Sequence, residues 1–393
     1  MRPESESQLV EALRDAGGPV EVRGGGTRLA WRPVASDVLE TGGLSGVRLY
    51  EPGAQTLVAG AGTPLAEIEA LLAEKGQRLA FEPMEARALM GTSGTATLGG
   101  VIAANVAGPR RVQAGAARDF LLGVRFVDGA GRLVSNGGRV MKNVTGYDLV
   151  KMMAGSWGTL GVLSEVSLKV LAKPPVECTL ILRGLDGAAG VARLCAAMGT
   201  PYDVTGTAHL DAGLAGEDSL TLVRIEGLPG SVAHRRRALL EGACAGCDSV
   251  EGEESAALWR AVRDVTPFAG RTGAVWQVSV KPTDAPRLLT ALEAANLRGP
   301  AICDWSGGRL WLLLEESAAA AVALRTEVAA LGGHATLMRA SEGYRAGVPM
   351  FQPQAPGVAR LAERLRATFD PRGVLNPGLM AQTPVGPSVG EPA

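Results

Sequence analysis

Cysteine, histidine and aromatic residues are all scarce in this chain. Five cysteines in 393 residues cannot build a disulfide scaffold. Three histidines, at 209, 234 and 334, stand alone, and none pairs at a metal-ligand spacing or suggests a Ser-His-Asp arrangement. Charge of one sign is also missing. The 39 Lys+Arg against 40 Asp+Glu leave a net charge of −1, which argues against a general nucleic-acid binder or a polybasic membrane clamp. No apolar run reaches the roughly 18 residues of a membrane span. The most apolar late stretch, 310–331, is broken by Glu315, Glu316, Arg325 and Glu327. The first residues, MRPESESQLVEALRDAGG, carry charge and no apolar signal core, so the expectation is a soluble chain of a reducing compartment. Two phosphate-binding signatures are absent as well. No Lys follows a Gly, which removes G-K-[ST], and no G-x-G-x-x-G occurs.

What is abundant is glycine, 53 residues, about twice the usual ~7% and without a collagen period. The 46% hydrophobic content is ample for buried cores. Ser5 and Gln8 fit a capping box that opens a first helix over Leu9, Val10 and Leu13, with Gly17 closing it. Val20-Glu21-Val22 reads as a strand, as does 56–59. Thr63 and Pro64 start a helix that stops at Gly76. A hairpin spans 122–135 about Asp128-Gly129-Ala130-Gly131, and 160–170 is another strand. Lys173-Pro174-Pro175 marks a boundary. Beyond it, strand-like runs (179–182, 220–225, 274–280, 310–314) alternate with helical ones (188–198, 232–243, 284–295, 317–331), and a last helix covers 357–368. No internal repeat is visible.

Three glycine-rich segments precede that boundary. Arg23-Gly24-Gly25-Gly26-Thr27 follows a strand. Its amides can form an anion nest suited to a pyrophosphate, or it is a plain turn. Residues 83–109 centre on Thr97-Leu98-Gly99-Gly100 and run to Asn105 and Gly108. They suit either a flat ligand lying on backbone or a tight Gly/Ala helix. Lys142-Asn143-Val144-Thr145-Gly146-Tyr147-Asp148 is followed by Gly155-Ser156-Trp157-Gly158-Thr159-Leu160-Gly161-Val162.

The order and spacing of these segments resemble one family, the FAD-binding fold of the vanillyl-alcohol oxidase and p-cresol methylhydroxylase (PCMH) superfamily, over about residues 1–172. The resemblance implies an α+β architecture: a PCMH-type two-subdomain FAD-binding domain (1–172) and an α+β cap domain (173–365). A C-terminal segment (366–380) returns to the FAD domain, and a flexible tail follows (381–393). In that family the glycine loops wrap FAD. The contacts implied here are Arg23, Gly24, Gly25, Gly26, Thr27, Pro83, Thr97, Gly99, Gly100, Asn105, Gly108, Gly158, Gly161, Val162 and Asn376. Some relatives tether the flavin to a His or Cys of this domain. Here the first Cys is 178 and the first His 209, so FAD is expected to be non-covalent.

The ending Phe369-Asp-Pro-Arg-Gly-Val-Leu-Asn-Pro-Gly378 resembles that of the family's 2-hydroxy-acid oxidising branch, and Asn-Val-Thr-Gly-Tyr-Asp with a short N-terminal segment resembles the FAD-binding subunits of bacterial glycolate oxidases. That resemblance implies an accessory, electron-transferring role in a 2-hydroxy-acid dehydrogenase complex that oxidises glycolate to glyoxylate. Its partners would be a catalytic flavin subunit and an iron–sulfur subunit, with association at the inner membrane face through those partners. Catalytic 2-hydroxy-acid members carry paired histidines around Gly-Asp-Gly-Asn in the cap. Nothing of the kind occurs here, which moves that chemistry to a partner. Two alternatives stay open: a self-sufficient alcohol or lactone oxidoreductase, and a flavin-free structural subunit.

Other residues carry two readings each. Arg339, Tyr344 and Arg345 are a carboxylate clamp or salt-bridge residues. Arg110 and Arg111 neutralise phosphate or lie in solvent. Tyr147 and Asp148 brace the flavin domain. Arg235, Arg236 and Arg237 form a solvated helix face. Cys244 and Cys247 are ordinary cysteines near a helix end rather than a metal or redox pair. Trp259, Trp276, Trp305 and Trp311 belong to core or interface.

Overall fold

The computed structural model describes residues 1–28, 37–139, 146–297 and 299–380. Residues 142–145 of the Asn-Val-Thr run and the tail 381–393 lie outside the described residues.

The first third of the chain folds as two layers. The Glu6–Arg14 helix begins where Ser5 Oγ accepts from Gln8 N at 3.2 Å. The Gln8 side chain closes back on Glu4 N rather than on the cap residue itself. Leu9 and Leu13 recur on one face and are fully buried. They pack on a parallel pair of strands, Val20–Arg23 and Asp37–Glu40. Beside this lies an antiparallel sheet in the order Val47–Glu51, Thr56–Gly60, Val162–Lys169, Leu121–Val127, Leu133–Gly137. Its inner face is covered by the Leu65–Ala73 and Leu98–Ala103 helices, whose Ile68, Leu72, Leu98, Val101 and Ile102 are all fully buried. Gln77–Arg78 pairs with Leu171–Ala172 and marks the exit toward the second domain.

The second domain is built on one antiparallel sheet, with four helices on one face and the Gly252–Asp264 helix on the other, beside the first domain. Among the described residues its strand order is Asp248–Glu251, Val176–Arg183, Leu220–Gly227, Val204–Leu210, Ala301–Asp304, Arg309–Leu314, Ala274–Ser279, His334–Arg339. This corrects the reading that the chain has no repeat. Residues 176–251 and 274–339 are each a β-α-β-β-α-β unit, and the two join edge to edge through Ala208↔Asp304, His209↔Cys303 and Leu210↔Ile302. The repeat escapes sequence reading because its halves share pattern and not residues. The strands at 204–210, 248–251, 301–304 and 334–339, and the Gly252–Asp264 helix, were not expected from the sequence. The mixed α+β architecture was.

Alternation along each strand assigns the two faces. Cys178, Leu180, Val223 and Ile225 meet the helices, while Ile181, Leu222, Trp311 and Met338 face the first domain. There they share a core with Met84, Ala86 and Leu89, so the domains are joined by an apolar interface.

A buried ion network bolts the same interface. Arg224, from the cap sheet, donates from both terminal nitrogens to Glu82 at 2.8 and 3.0 Å and lies 4.5 Å over the Trp259 ring. Arg110 pairs with Glu226, and Arg78 reaches the same carboxylate at 2.8 Å. Burial pushes the Glu226 carboxyl up, but Arg224, Arg110 and Arg78 outweigh it and bring it down to about 2. The same contest, settled by Arg224 and Arg110, holds Glu82 below the usual carboxylate range.

The Pro356–Phe369 helix has no buried residue and shows Val358, Leu361 and Leu365 to solvent. After it, Asp370 accepts from Val374 N and Leu375 N, and the chain lays Leu375 beside Val20.

Removing one partner leaves the other charge buried, so Arg224→Met should cost about 3–5 kcal/mol of unfolding free energy in urea titrations. The pH dependence has a definite sign. With its folded pKa near 2, below the ~4.3 of a free Glu, Glu226 stabilises fully above that value, and the contribution is lost as pH falls from about 4 toward 2. In Arg224→Met this acid-dependent component should shrink.

Candidate functional site

The strand Val20–Arg23 ends in three glycines that cross the 94–97 segment at backbone contact. A Cβ on Gly25 would sit 1.4 Å from the Thr95 carbonyl oxygen, and one on Gly94 would sit 1.7 Å from that of Gly25. A Cβ on Gly24 would reach Thr97 Oγ1 at 2.6 Å, and Gly26 holds φ +74°. The glycines are therefore required by the crossing itself. The crossing in turn leaves the amides of Gly25, Gly26 and Thr27 without an acceptor among the described residues.

Thr97 opens the Leu98–Ala103 helix by accepting from Gly100 N. Gly99 presses this helix on Ala61, donating to its carbonyl at 2.7 Å. The opposite wall comes from the C-terminus. Asn376, at φ +43°, accepts from Val22 N at 2.7 Å and donates to the Trp157 carbonyl at 2.8 Å. Gly158 passes beneath it, where a Cβ would lie 2.8 Å from Asn376 Nδ2.

These segments line an open cleft, about 930 Å³ of space counting the solvent at its mouth. Of the residues expected from the sequence, Arg23, Gly24, Gly25, Gly26, Thr27, Thr97, Gly99, Gly100, Gly158, Gly161 and Asn376 line it. Glu21, Thr41, Ala61, Ala103, Ala104, Leu163 and Leu379 join them. Glu21 had no sequence signal of its own, and it pairs with Arg23 at 2.7 Å. The donor set fits FAD. Unmet backbone N–H groups suit the pyrophosphate, and a floor of Gly and Ala admits a long flat molecule close to backbone. Gly25, Gly26, Thr27, Thr97 and Asn376 are the groups that would hold it.

Four expected residues lie outside the cleft. Val162 is fully buried beneath the first helix. Pro83 is buried next to the interdomain ion network and lines neither cavity. Gly108 lets the chain pass Glu82, whose carbonyl a Cβ would meet at 2.4 Å, and its own carbonyl accepts from Trp305 Nε1 at 3.0 Å. Asn105, at φ +47°, accepts from Arg118 N and faces a second cavity.

That second cavity, about 700 Å³, lies between the domains and shares Arg28, Ala104 and Trp157 with the cleft. Arg111, Arg309, Trp305, Trp311, Gln277 and Thr336 complete its polar and aromatic lining. Backbone strain gathers around the two spaces. Glu82, Asn105, Trp157, Trp305, Ser306 and Asn376 all hold positive φ, a pattern associated with functional sites.

The remaining candidates are placed elsewhere. Arg110 is neither solvated nor near a phosphate position, because Glu226 claims it. Arg111 stacks 5.0 Å over Trp305. Arg339 donates to the carbonyls of Leu89, Phe268 and Arg271, and Tyr344 to that of Ser317, so neither reaches the cleft. Arg345 lies on the same short helix, bonded to the Ser341 carbonyl. Tyr147 is 88% exposed, and Asp148 caps a helix at Lys151 N. Arg235 caps the carbonyls of Tyr202 and Glu226, and Arg236 pairs with Glu251. Trp259, Trp276 and Trp311 are buried in the cap. Cys244 and Cys247 are free thiols just past a helix end, and no group of metal-ligating side chains occurs among the described residues.

Residues 1–137 match the FAD binding domain family. The chain is 34% identical over 375 residues to the glycolate oxidase subunit GlcE of Escherichia coli (strain K12), covering 95% of each. It is also 27% identical to the glycolate oxidase subunit GlcD of Bacillus subtilis (strain 168), over 72% of this chain and 68% of that one. In fold it is similar to alkyldihydroxyacetonephosphate synthase, with a TM-score of 0.66 at 16% identity, over 96% of this chain and 76% of that one. With a glycine-built cleft at the position the family match covers, the chain belongs to the glycolate oxidase GlcE subunit family of FAD-binding oxidoreductases, and FAD is its cofactor.

Proposed function

We propose that this chain is the accessory FAD subunit of a glycolate-oxidising complex. In this reading it passes electrons between a catalytic flavin subunit and an iron–sulfur subunit and does not itself oxidise the hydroxy acid. The observation that carries the reading is the chemistry of the cavity beside the cleft. Oxidising a hydroxyl-bearing carbon needs a group that accepts the hydroxyl proton near neutral pH. Among the described residues, that cavity is lined by arginines, which stay protonated, and by Gln277, Thr336, Asn105 and apolar side chains. No described carboxylate, histidine, lysine or tyrosine lines it.

FAD, when bound, supplies the electron-carrying ring. The protein's part is to hold it. The amides of Gly25, Gly26 and Thr27 meet negative charge, Thr97 and Asn376 fix the walls, and Trp157 shields the inner end. Relatives carrying the names of two glycolate oxidase subunits support the complex as the working unit. No helix among the described residues is long and apolar enough to cross a membrane. In this reading, membrane association runs through partners.

The arginine-lined cavity also favours one other reading, a self-sufficient oxidoreductase of an anionic alcohol. A single experiment separates the two. The isolated, FAD-loaded chain is mixed anaerobically with glycolate and its visible absorption followed. No bleaching is expected alone, and bleaching is expected once the catalytic flavin subunit is added. Bleaching by the chain alone at a rate matching complex turnover overturns the accessory role.

The cleft itself predicts a contrast between two glycines. Gly25→Ala forces a Cβ into the Thr95 carbonyl and should abolish flavin retention on gel filtration. Gly18→Ala, with nothing within 4 Å, should retain flavin fully.

A further inference from the structure

The Cys244-Ala245-Gly246-Cys247 run takes no part in the flavin cleft, and its backbone holds the two thiols together. The Pro229–Glu241 helix ends just before it, and Cys244 N donates back to the Leu239 carbonyl at 2.7 Å. Cys247 N then donates to the Cys244 carbonyl at 3.1 Å, with Gly246 in the left-handed region at φ +82°. A hydrogen-bonded turn of this kind brings its first and last Cα atoms within about 7 Å. A disulfide joins Cα atoms about 4.4–6.8 Å apart, so the turn already sets the backbone at bridging distance.

The two thiols are unequal. Cys244 is fully buried in the cluster that includes Leu194 and Leu239, whereas Cys247 is half-buried. The thiols hydrogen-bond to each other. That bond, with burial, holds the Cys244 thiol protonated, far above the usual thiol range. The same bond, helped by Arg193, draws Cys247 below that range against its own burial. Arg193 is fixed nearby by donating to the Ala243 carbonyl at 2.9 Å. The thiolate is the nucleophile in disulfide exchange, so the reactive sulfur is also the more accessible one. The other cysteines lack this arrangement. Burial pushes Cys178 up to about 11 and Cys303 up to about 12, and Cys195 donates its thiol to the Ser306 carbonyl at 3.5 Å.

We propose that Cys244 and Cys247 are a redox modification site that closes reversibly to an intramolecular disulfide, rather than the two ordinary cysteines expected from the sequence. The oxidant is a small-molecule disulfide of the glutathione type. The Cys247 thiolate attacks one of its sulfurs and expels a thiolate, which leaves a mixed disulfide on Cys247. Cys244 gives its proton to solvent and attacks the Cys247 sulfur, expelling the second thiolate and closing the bridge. The chain gives up two protons and two electrons, and the small disulfide leaves as two thiols. Neither cysteine lines the flavin cleft, and the strand that follows, Asp248–Glu251, lies at the outer edge of the cap sheet, so closure should leave the flavin undisturbed.

The test equilibrates the full FAD-loaded chain with glutathione buffers of stepped oxidised-to-reduced ratio, traps the remaining thiols with N-ethylmaleimide and maps the peptides by mass. A Cys244–Cys247 disulfide is expected, formed in a two-electron titration and reversed by dithiothreitol, with Cys178 and Cys303 still reduced and the flavin absorption unchanged. Cys244→Ser removes the resolving sulfur, so glutathione should stay on Cys247 as one stable adduct per chain. Cys244→Ala serves where Cys244→Ser fails to fold, with thermal unfolding as the check. In Cys247→Ser, Cys244 should alkylate about tenfold or more slowly than Cys247 does in the unaltered chain. A pair that stays reduced at every ratio, glutathione that persists on Cys247 of the unaltered chain, or a bridge through any other cysteine overturns the site.

Discussion

The two domains are held in register by a guanidinium that has left water. Arg224 gives up hydration entirely and recovers it from Glu82, the Thr205 carbonyl and the Trp259 ring. Glu82 can reach it only at φ +49°, and that kink carries Pro83 and Met84 toward the cap. Gly108 and Arg110 close on Glu82 from the other side. The space between the domains is what remains once these groups are fixed. A surface pair of the same charges would contribute little. Burial makes this one decisive.

The flavin cleft depends on a different economy of atoms. It is assembled from segments far apart in sequence: the loop after Val22, the crossing at Thr95, the turn at Gly158, and Asn376 near the end. Each is placed by backbone hydrogen bonds or by the absence of a side chain, and few charged groups take part. Such a site can recognise a dinucleotide by shape and by its phosphates with few charges, Arg23 being balanced by Glu21 and Arg28 adding one cation.

How much of this was legible follows from what each feature writes in sequence. Long amphipathic elements did: 188–198 and 317–331 emerge as Gly187–Met198 and Ala318–Ala330 because their apolar spacing is dense. The glycine loops were visible as composition, but their reason was not. Gly25 is glycine because another stretch of backbone passes it, which no local pattern records. Val162 sits between the cleft residues Gly161 and Leu163 in sequence and faces away from the cleft, since alternation along a strand sends neighbours to opposite sides. The ion network was illegible because Glu82, Arg110, Arg224 and Glu226 look like any exposed charge until the tertiary fold removes their water.

The cap's duplication has a consequence for how its two arginines came to differ. Arg224 and Arg309 lie on the same sheet face, each on the third strand of its own β-α-β-β-α-β unit. In the first copy Arg224, midway along the strand, fastens the domains. In the second Arg309, at the strand's first residue beside the hairpin, stands at the edge of a hollow. A scaffold made twice can anchor with one half and explore with the other. Change in the second copy then meets fewer penalties, and diversification within such a cap should concentrate there.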